Sequence, residues 1–371
     1  MPTAKLKRRF KSLIGIFKGG NFVGSITLLW QVFLRNFRAI RIKCFIKQIH
    51  GPKQLELGPK EVVIVCLARD GMDYLPYFLD YHRKLGVSHF AFVDNGSKDG
   101  SLEYIKSQPD TSIFYSELSF GYYQMAFKKF LCDKYGWSNW TILLDIDEYF
   151  DYPQSDQISL HELLEYLETH GYTSMVAYML DMFSKQPLLE LEDDPEDLST
   201  KYTLYDLSDI DRKEYTEIYG TTNTRNNESI QNLSGGVRKR FFMDDGLITK
   251  HPIFFLKPGM ACTSNCHDIR CANLADVTAV LYHYKYTQYY TKVLHRALTE
   301  RRYAAKDFYG GAGAYKLASD ILDDTPNLTL LTEDSMEFQG PDKLVDQGFL
   351  VSSEQYQNWV ENKVAERNLS A

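Results

Sequence analysis

Ile142-Leu143-Leu144-Asp145-Ile146-Asp147-Glu148 reads as a buried β-strand that ends abruptly in three carboxylates, separated only by Ile146. Carboxylates gathered at the end of a buried strand are costly unless a positive partner neutralises them. A divalent cation held by oxygen ligands is the usual solution. The stretch is a D-x-D arrangement, and its surroundings decide what such a cation would serve.

Upstream, strand and helix patterns alternate. Glu61 to Ala68 (EVVIVCLA) is a continuous apolar run of the kind found in buried parallel strands, and Arg69-Asp70-Gly71 turns the chain. Tyr74 to Leu85 reads as a helix with Leu75, Phe78, Leu79 and His82 on one face. Val87 to Val93 is a second strand, followed by the loop Asp94-Asn95-Gly96-Ser97-Lys98-Asp99-Gly100-Ser101. A helix over Ser101 to Lys106, a strand over Thr111 to Ser116 and a helix over Tyr122 to Tyr135 lead to the strand Trp140 to Leu144. Repeated β-α-β units imply a parallel sheet, and open sheets of that kind bind ligands at the carboxyl ends of their strands. Arg69, Asp94, Asn95, Asp145 and Asp147 all fall at such ends.

Downstream, Leu160 to Leu167 is expected as a helix and Ser174 to Leu180 as a strand ending at Asp181. Residues 185–235 turn polar and acidic, which suggests a lid or an acceptor-binding insertion. Gly236 to Phe242, Ile248 to Leu256 and Ala279 to His283 are expected to resume short strands, and Thr287 to Arg302 a helix.

The chain has 371 residues, 44% hydrophobic, enough for one large domain with appendages. Residues 1–50 hold eleven Lys and Arg and no Asp or Glu, so the remainder carries −18 of a net charge of −7. An acidic body of this kind repels a phosphate backbone and argues against nucleic acid as a partner. Phe10, Leu13, Ile14 and Phe17 recur at helical spacing among the basic residues. That pattern suits peripheral contact with an anionic membrane surface. The apolar stretch Gly20 to Leu34 is too short to span a bilayer and lacks a cleavage site for a secretory signal. Cys66 and Cys132 lie in apolar segments, and a reducing cytoplasm is the expected compartment. Cys262, Cys266, His267 and Cys271 miss the usual spacing of a zinc site.

CLARDGMDYLPYFLDYHRKLGVSHFAFVDNGSKDGS and NWTILLDIDEYF together resemble the GT-A glycosyltransferases, in particular bacterial family-2-like enzymes related to the family 92 type. The resemblance covers residues 61–185 well. It continues more loosely through GGVRKRFF, TKHPIFFLKPG, CHDI and LYHYKY to about residue 300. It implies an α/β, Rossmann-like fold with a mostly parallel sheet flanked by helices. A basic helical arm would occupy 1–57, the GT-A domain 58–305 with its insertion at 185–235, and a C-terminal helical extension 306–371. The implied activity is transfer of a sugar, with inversion, from a nucleotide-sugar donor to a glycan, lipid-linked or other acceptor. The implied cofactor is Mn²⁺ or Mg²⁺, and the implied location is the cytoplasmic face of a bacterial plasma membrane.

By position, Asp94 looks like the carboxylate that reads the nucleotide base, with Asn95 beside it and Ala68 and Arg69 lining the nucleoside pocket. Asp145 and Asp147 look like the D-x-D pair, Asp147 the more direct metal ligand and Asp145 nearer the ribose or sugar. A late histidine commonly completes the metal shell in this family. His283 is the first choice, since an apolar strand presents it, and His267 the second. Lys285, and Lys250 with Arg238, Arg240 and His251, supply cations suited to a diphosphate. An inverting enzyme also needs a carboxylate base. No E-D or T-E-D motif supplies one, which leaves Asp181, favoured for its place at a strand end, and Asp245.

Two other readings compete. LLDIDE superficially matches the first strand of haloacid-dehalogenase-like phosphohydrolases, but Glu148-Tyr149 follows where that family has Gly-Thr. A nucleotide- or carbohydrate-binding protein without turnover would keep the same fold, and metal-dependent nucleotide binding without sugar release would distinguish it.

Overall fold

The computed structural model describes residues 41–42, 44–58, 60–192, 197–262, 267–299 and 312–370. The chain divides into two compact units, Met1–Ile46 and Lys47–Ala371. In the first, the Arg41 guanidinium lies 5.4 Å from the centre of the Phe45 ring. The amphipathic pattern at Phe10 to Phe17 and the stretch Gly20 to Leu34 lie outside the described residues. Among the described residues, no helix is long and apolar enough to cross a membrane.

The second unit is an α/β body. Its strands are β1 (Lys47–His50), β2 (Val62–Ala68), β3 (His89–Asp94), β4 (Thr111–Tyr115), β5 (Trp140–Leu144), β6 (Glu148–Asp151) and β7 (Ser174–Asp181). They continue as β8 (Leu204–Tyr205), β9 (Ile210–Glu214), β10 (Thr224–Arg225), β11 (Gln231–Gly235) and β12 (Thr249–Phe254). The last are β13 (Ala261–Cys262), β14 (Ile269–Arg270), β15 (Asn273–Leu274), β16 (Ala279–His283) and β17 (Met336–Glu337). Eleven of them form one mostly parallel sheet in the order β1-β4-β3-β2-β5-β12-β7-β15-β10, with β16 lodged between β7 and β6.

Strands β4, β3, β2 and β5 are parallel neighbours, Ala68 beside Asp94 and Cys66 beside Leu144. Every residue of β2, β3 and β5 is buried, as their unbroken apolar sequences require. Helix Leu75–Leu85 buries Leu75, Phe78, Leu79 and His82, the expected face, and stops at Gly86 in the left-handed conformation (φ 106°). His82 also reaches the sheet: its Nδ1 is 2.7 Å from the Phe78 carbonyl oxygen, and the Phe150 amide donates to its Nε2 at 3.2 Å.

The second half differs from a simple β-α repeat. Strand β12 runs antiparallel to both its neighbours, β5 and β7. Strand β6 begins directly after the D-x-D turn, at a point the sequence pattern does not mark. Gly236 to Phe242, expected as a strand, is helical over Val237–Phe242. Gly235 and Gly236, at φ 85° and 79°, end β11, and Val237, Phe241 and Phe242 then recur at helical spacing. Much of 185–235 joins the body, with β9 and β11 as an antiparallel ribbon and β10 in the main sheet. The C-terminal segment is anchored to the body too: Tyr356 donates to the Pro153 carbonyl at 2.7 Å and Ser353 to Asp276 at 2.5 Å.

Candidate active site

A cleft of about 600 Å³ opens where β2, β5 and β7 end, and the D-x-D turn forms part of its wall. Two loops build the floor beside it. The Asp70 amide donates to Ser97 Oγ (3.0 Å), Gly71 to Ser101 Oγ (2.9 Å) and Met72 to Asp99 Oδ2 (3.0 Å), while Lys98 donates back to Asp70 Oδ1 (2.7 Å). The short polar residues after β3 therefore serve to stitch the loop after β2 in place. From the opposite side, Arg296 of helix Tyr290–Thr299 donates to the Asp70 carbonyl at 3.0 Å.

The three carboxylates of the turn have three environments. Asp145 faces Lys128 Nζ at 2.5 Å and Lys250 Nζ at 3.6 Å. Burial alone would raise its carboxyl, but the two lysines prevail and hold it far below its usual range. Glu148, 1% exposed, is paired with Lys250 and accepts the Asp145 amide at 3.1 Å. Asp147 faces His283 instead, with Oδ2 3.5 Å from Nε2. Burial again opposes ionisation, and the His283 contact lowers the Asp147 carboxyl overall.

The sheet explains this convergence. Strand β16 pairs antiparallel with β6, placing His283 beside Glu148, and parallel with β7, placing it beside Asp181. The Tyr284 amide donates to the Asp147 carbonyl at 2.8 Å. Lys250 arrives from β12, the antiparallel strand between β5 and β7. Burial, then Lys250 and Lys128, push the His267 imidazole well below its ordinary pKa and keep it neutral on the cleft wall. Burial and Arg238 likewise lower the Lys285 ammonium.

Of the residues expected from sequence, Arg69, Asp145, Asp147, Arg238, Asp245, Lys250, His267, His283 and Lys285 share this cleft. Ala68, Asp94 and Asn95 are not on its wall. Asp94 accepts the Gly96 and Ser97 amides (2.9 and 3.1 Å) and Asn95 donates to the Ser116 and Leu118 carbonyls (2.6 and 2.8 Å), so both hold the loop after β3. Asp94 keeps one buried oxygen, Oδ2, without a hydrogen-bond partner.

Asp181, the favoured base, is also absent from the cleft wall. Both its oxygens are engaged by Arg238, at 2.9 and 2.6 Å, and one by His283 at 2.6 Å. Burial would raise its carboxyl, yet Arg238 and His283 hold it far below the usual range. A shielded carboxylate of that kind is a poor proton acceptor, which argues against Asp181 as the base. Arg238, expected to meet a diphosphate, spends its fork on Asp181. Asp245 is exposed on the cleft wall, beside Asp244, whose Oδ1 accepts the Gly246 amide at 3.0 Å.

Sequence reasoning missed Lys128. It lies on the buried stripe of helix Phe120–Tyr135 with Tyr123, Phe127, Leu131, Cys132 and Tyr135. A lysine interrupting an apolar stripe is the signal that would have found it.

Asp147 Oδ2 and His283 Nε2, 3.5 Å apart, are the pair that could hold a cation between them. Among the described residues, no three His, Cys, Asp or Glu side chains gather to hold one unaided, so further oxygens would have to come from a ligand or water. Of the zinc alternative, Cys262 is buried and Cys271 exposed, and Cys266 lies outside the described residues.

The fold and cleft define an α/β protein with a charged site at the carboxyl edge of its sheet. No protein-family model matches the chain, and no curated protein does. Among solved structures, the crystal structure of S. aureus TarS is similar over 35% of this chain and 26% of that chain, at 14% identity and a TM-score of 0.27. The chain thus matches about a quarter of that protein's length, a likeness too slight to bear on fold or activity.

Proposed function

We propose that this protein is a metal-dependent glycosyltransferase of the GT-A type, moving a sugar from a nucleotide-activated donor to a glycan or lipid-linked acceptor. The observation that carries the reading is the pairing of Asp147 with His283 at 3.5 Å in a cleft that also presents Lys250 and Lys285. Mn²⁺ or Mg²⁺ held by Asp147 and His283 would act as a Lewis acid toward the diphosphate leaving group. Lys285 adds a cation on the same wall, where charge grows as the glycosidic bond breaks. Lys128 and Lys250 neutralise Asp145 and Glu148, which keeps the floor from repelling an anionic donor.

Asp245 is the base in this scheme. It takes the proton of the acceptor hydroxyl as that oxygen bonds to the anomeric carbon. The carbon–oxygen bond to the diphosphate breaks, and its electron pair leaves with the diphosphate. The family resemblance favours inversion, and the basic arm would hold the enzyme at an anionic membrane face.

The test is nucleotide release from a panel of sugar nucleotides with Mn²⁺ and candidate acceptors. Asp245→Asn should lower turnover by about 10²- to 10⁴-fold while nucleotide affinity holds. Undiminished turnover would remove Asp245 from this role. Nucleotide binding with no sugar transfer to any acceptor would favour a binding protein of the same fold.

A further inference from the structure

We infer that Asp181, gripped by Arg238, is a positioning residue that keeps the proton of His283 on Nδ1 and turns the Nε2 lone pair toward Asp147. The inference rests on the reading of Asp147 and His283 as joint cation ligands.

The tautomer follows from one distance. His283 Nδ1 lies 2.6 Å from Asp181 Oδ1. Two lone pairs do not approach so closely, so a proton sits between them. An ionised carboxylate only accepts, and Nδ1 therefore donates. Arg238 Nη2 reaches the same oxygen at 2.6 Å, and its Nε reaches Oδ2 at 2.9 Å. Two donors converging on Oδ1 account for the 3.1 Å between Arg238 Nη2 and His283 Nδ1.

The side chains of Asp181, Arg238 and His283 are 5%, 8% and 9% exposed, so water hardly competes for these bonds. The backbone is held as well, the Met182 amide donating to the His283 carbonyl at 3.0 Å. With Nδ1 occupied, the neutral ring carries its lone pair on Nε2, the nitrogen that faces Asp147. Ligand histidines are commonly oriented by such a partner on the other nitrogen. Here the partner is itself clamped by a two-pronged arginine, so it cannot rotate away.

The test begins with ¹⁵N-histidine-labelled protein, free of metal and nucleotide, in alkaline buffer where imidazole is neutral. His283→Gln assigns the signal by its loss. The wild-type spectrum should show a protonated Nδ1 and a bare Nε2. Asp181→Leu/Arg238→Met removes the pair without stranding a buried charge. It should release the ring toward the Nε2–H form and weaken Mn²⁺ binding, measured calorimetrically with nucleotide present, by about 10- to 100-fold. Asp181→Asn keeps one acceptor oxygen and should retain the tautomer with intermediate affinity. A wild-type ring protonated on Nε2 overturns the inference, and that spectrum decides the matter if the double variant does not fold. An unmoved tautomer in a folded double variant overturns it equally. The expected spectra with no nucleotide binding would uphold the positioning pair and count against the sugar-nucleotide reading.

Discussion

Gly71 and Ile146 touch across two loops of the cleft: a β-carbon on Gly71 would lie 2.5 Å from Ile146 Cδ1. The contact seats the D-x-D turn on the loop after β2, which is itself stitched to the loop after β3. The isoleucine between the two aspartates therefore has a mechanical role, fixing the turn from which Asp145 and Asp147 project.

Gly71→Ala should push aside the Ile146 Cδ1 methyl, the free end of a half-buried side chain, at a cost of about 1 kcal/mol. Ile146→Val deletes the offending methyl group, so the double variant should regain part of the loss, with a coupling of about 0.5 kcal/mol. Denaturant unfolding of the four proteins measures the cycle. Strictly additive effects would mean that the two residues do not meet.

Lys250 and Glu148 form a buried ion pair, their side chains 8% and 1% exposed. Lys250→Met leaves Glu148 charged and buried, at an expected cost of about 3–5 kcal/mol. Adding Glu148→Gln removes that stranded charge and should restore much of the stability. The comparison is by chemical denaturation at neutral pH. A double variant no more stable than Lys250→Met would argue against the pair.

His82 gives a prediction about pH. Burial lowers its pKa to about 3, opposed by the bond to the Phe78 carbonyl. The unfolded chain binds the proton near pH 6.5 and the folded protein does not, so stability falls as pH drops below that value. Between pH 7.5 and 5.5 the loss due to His82 should be about 1.4 kcal/mol. His82→Gln should be less stable at neutral pH, having lost a fitted ring, but its stability should fall less steeply with acid. An unchanged slope would mean that His82 is already free to protonate in the folded state.

The first half of the sheet was legible because β2, β3 and β5 are buried on both faces and read as unbroken apolar runs. The D-x-D turn stood out because three carboxylates follow such a run directly. What sequence could not supply was pairing. His283 meets Asp147 and Asp181 only because β16 lies between β6 and β7, and β6 is four residues with no turn signal before it. Arg238 was misread with its segment, since a short helix after two glycines gives an apolar pattern close to that of a strand. Asp181 looked like a base because strand ends face ligands. Whether a given carboxylate faces the cleft or a neighbouring arginine depends on contacts between residues 57 positions apart in sequence.

The most direct test of the account is a thermal-shift and calorimetric screen of UDP, GDP, CMP and dTDP, each with and without Mn²⁺, on the wild type and Asp147→Ala. A ligand that binds only the folded state at 100 times its Kd stabilises it by about 2.7 kcal/mol. At least one nucleotide should raise the melting temperature when Mn²⁺ is present, and a folded Asp147→Ala should lose the effect. A wild type that responds to none of them, or an Asp147→Ala that responds equally, would contradict it.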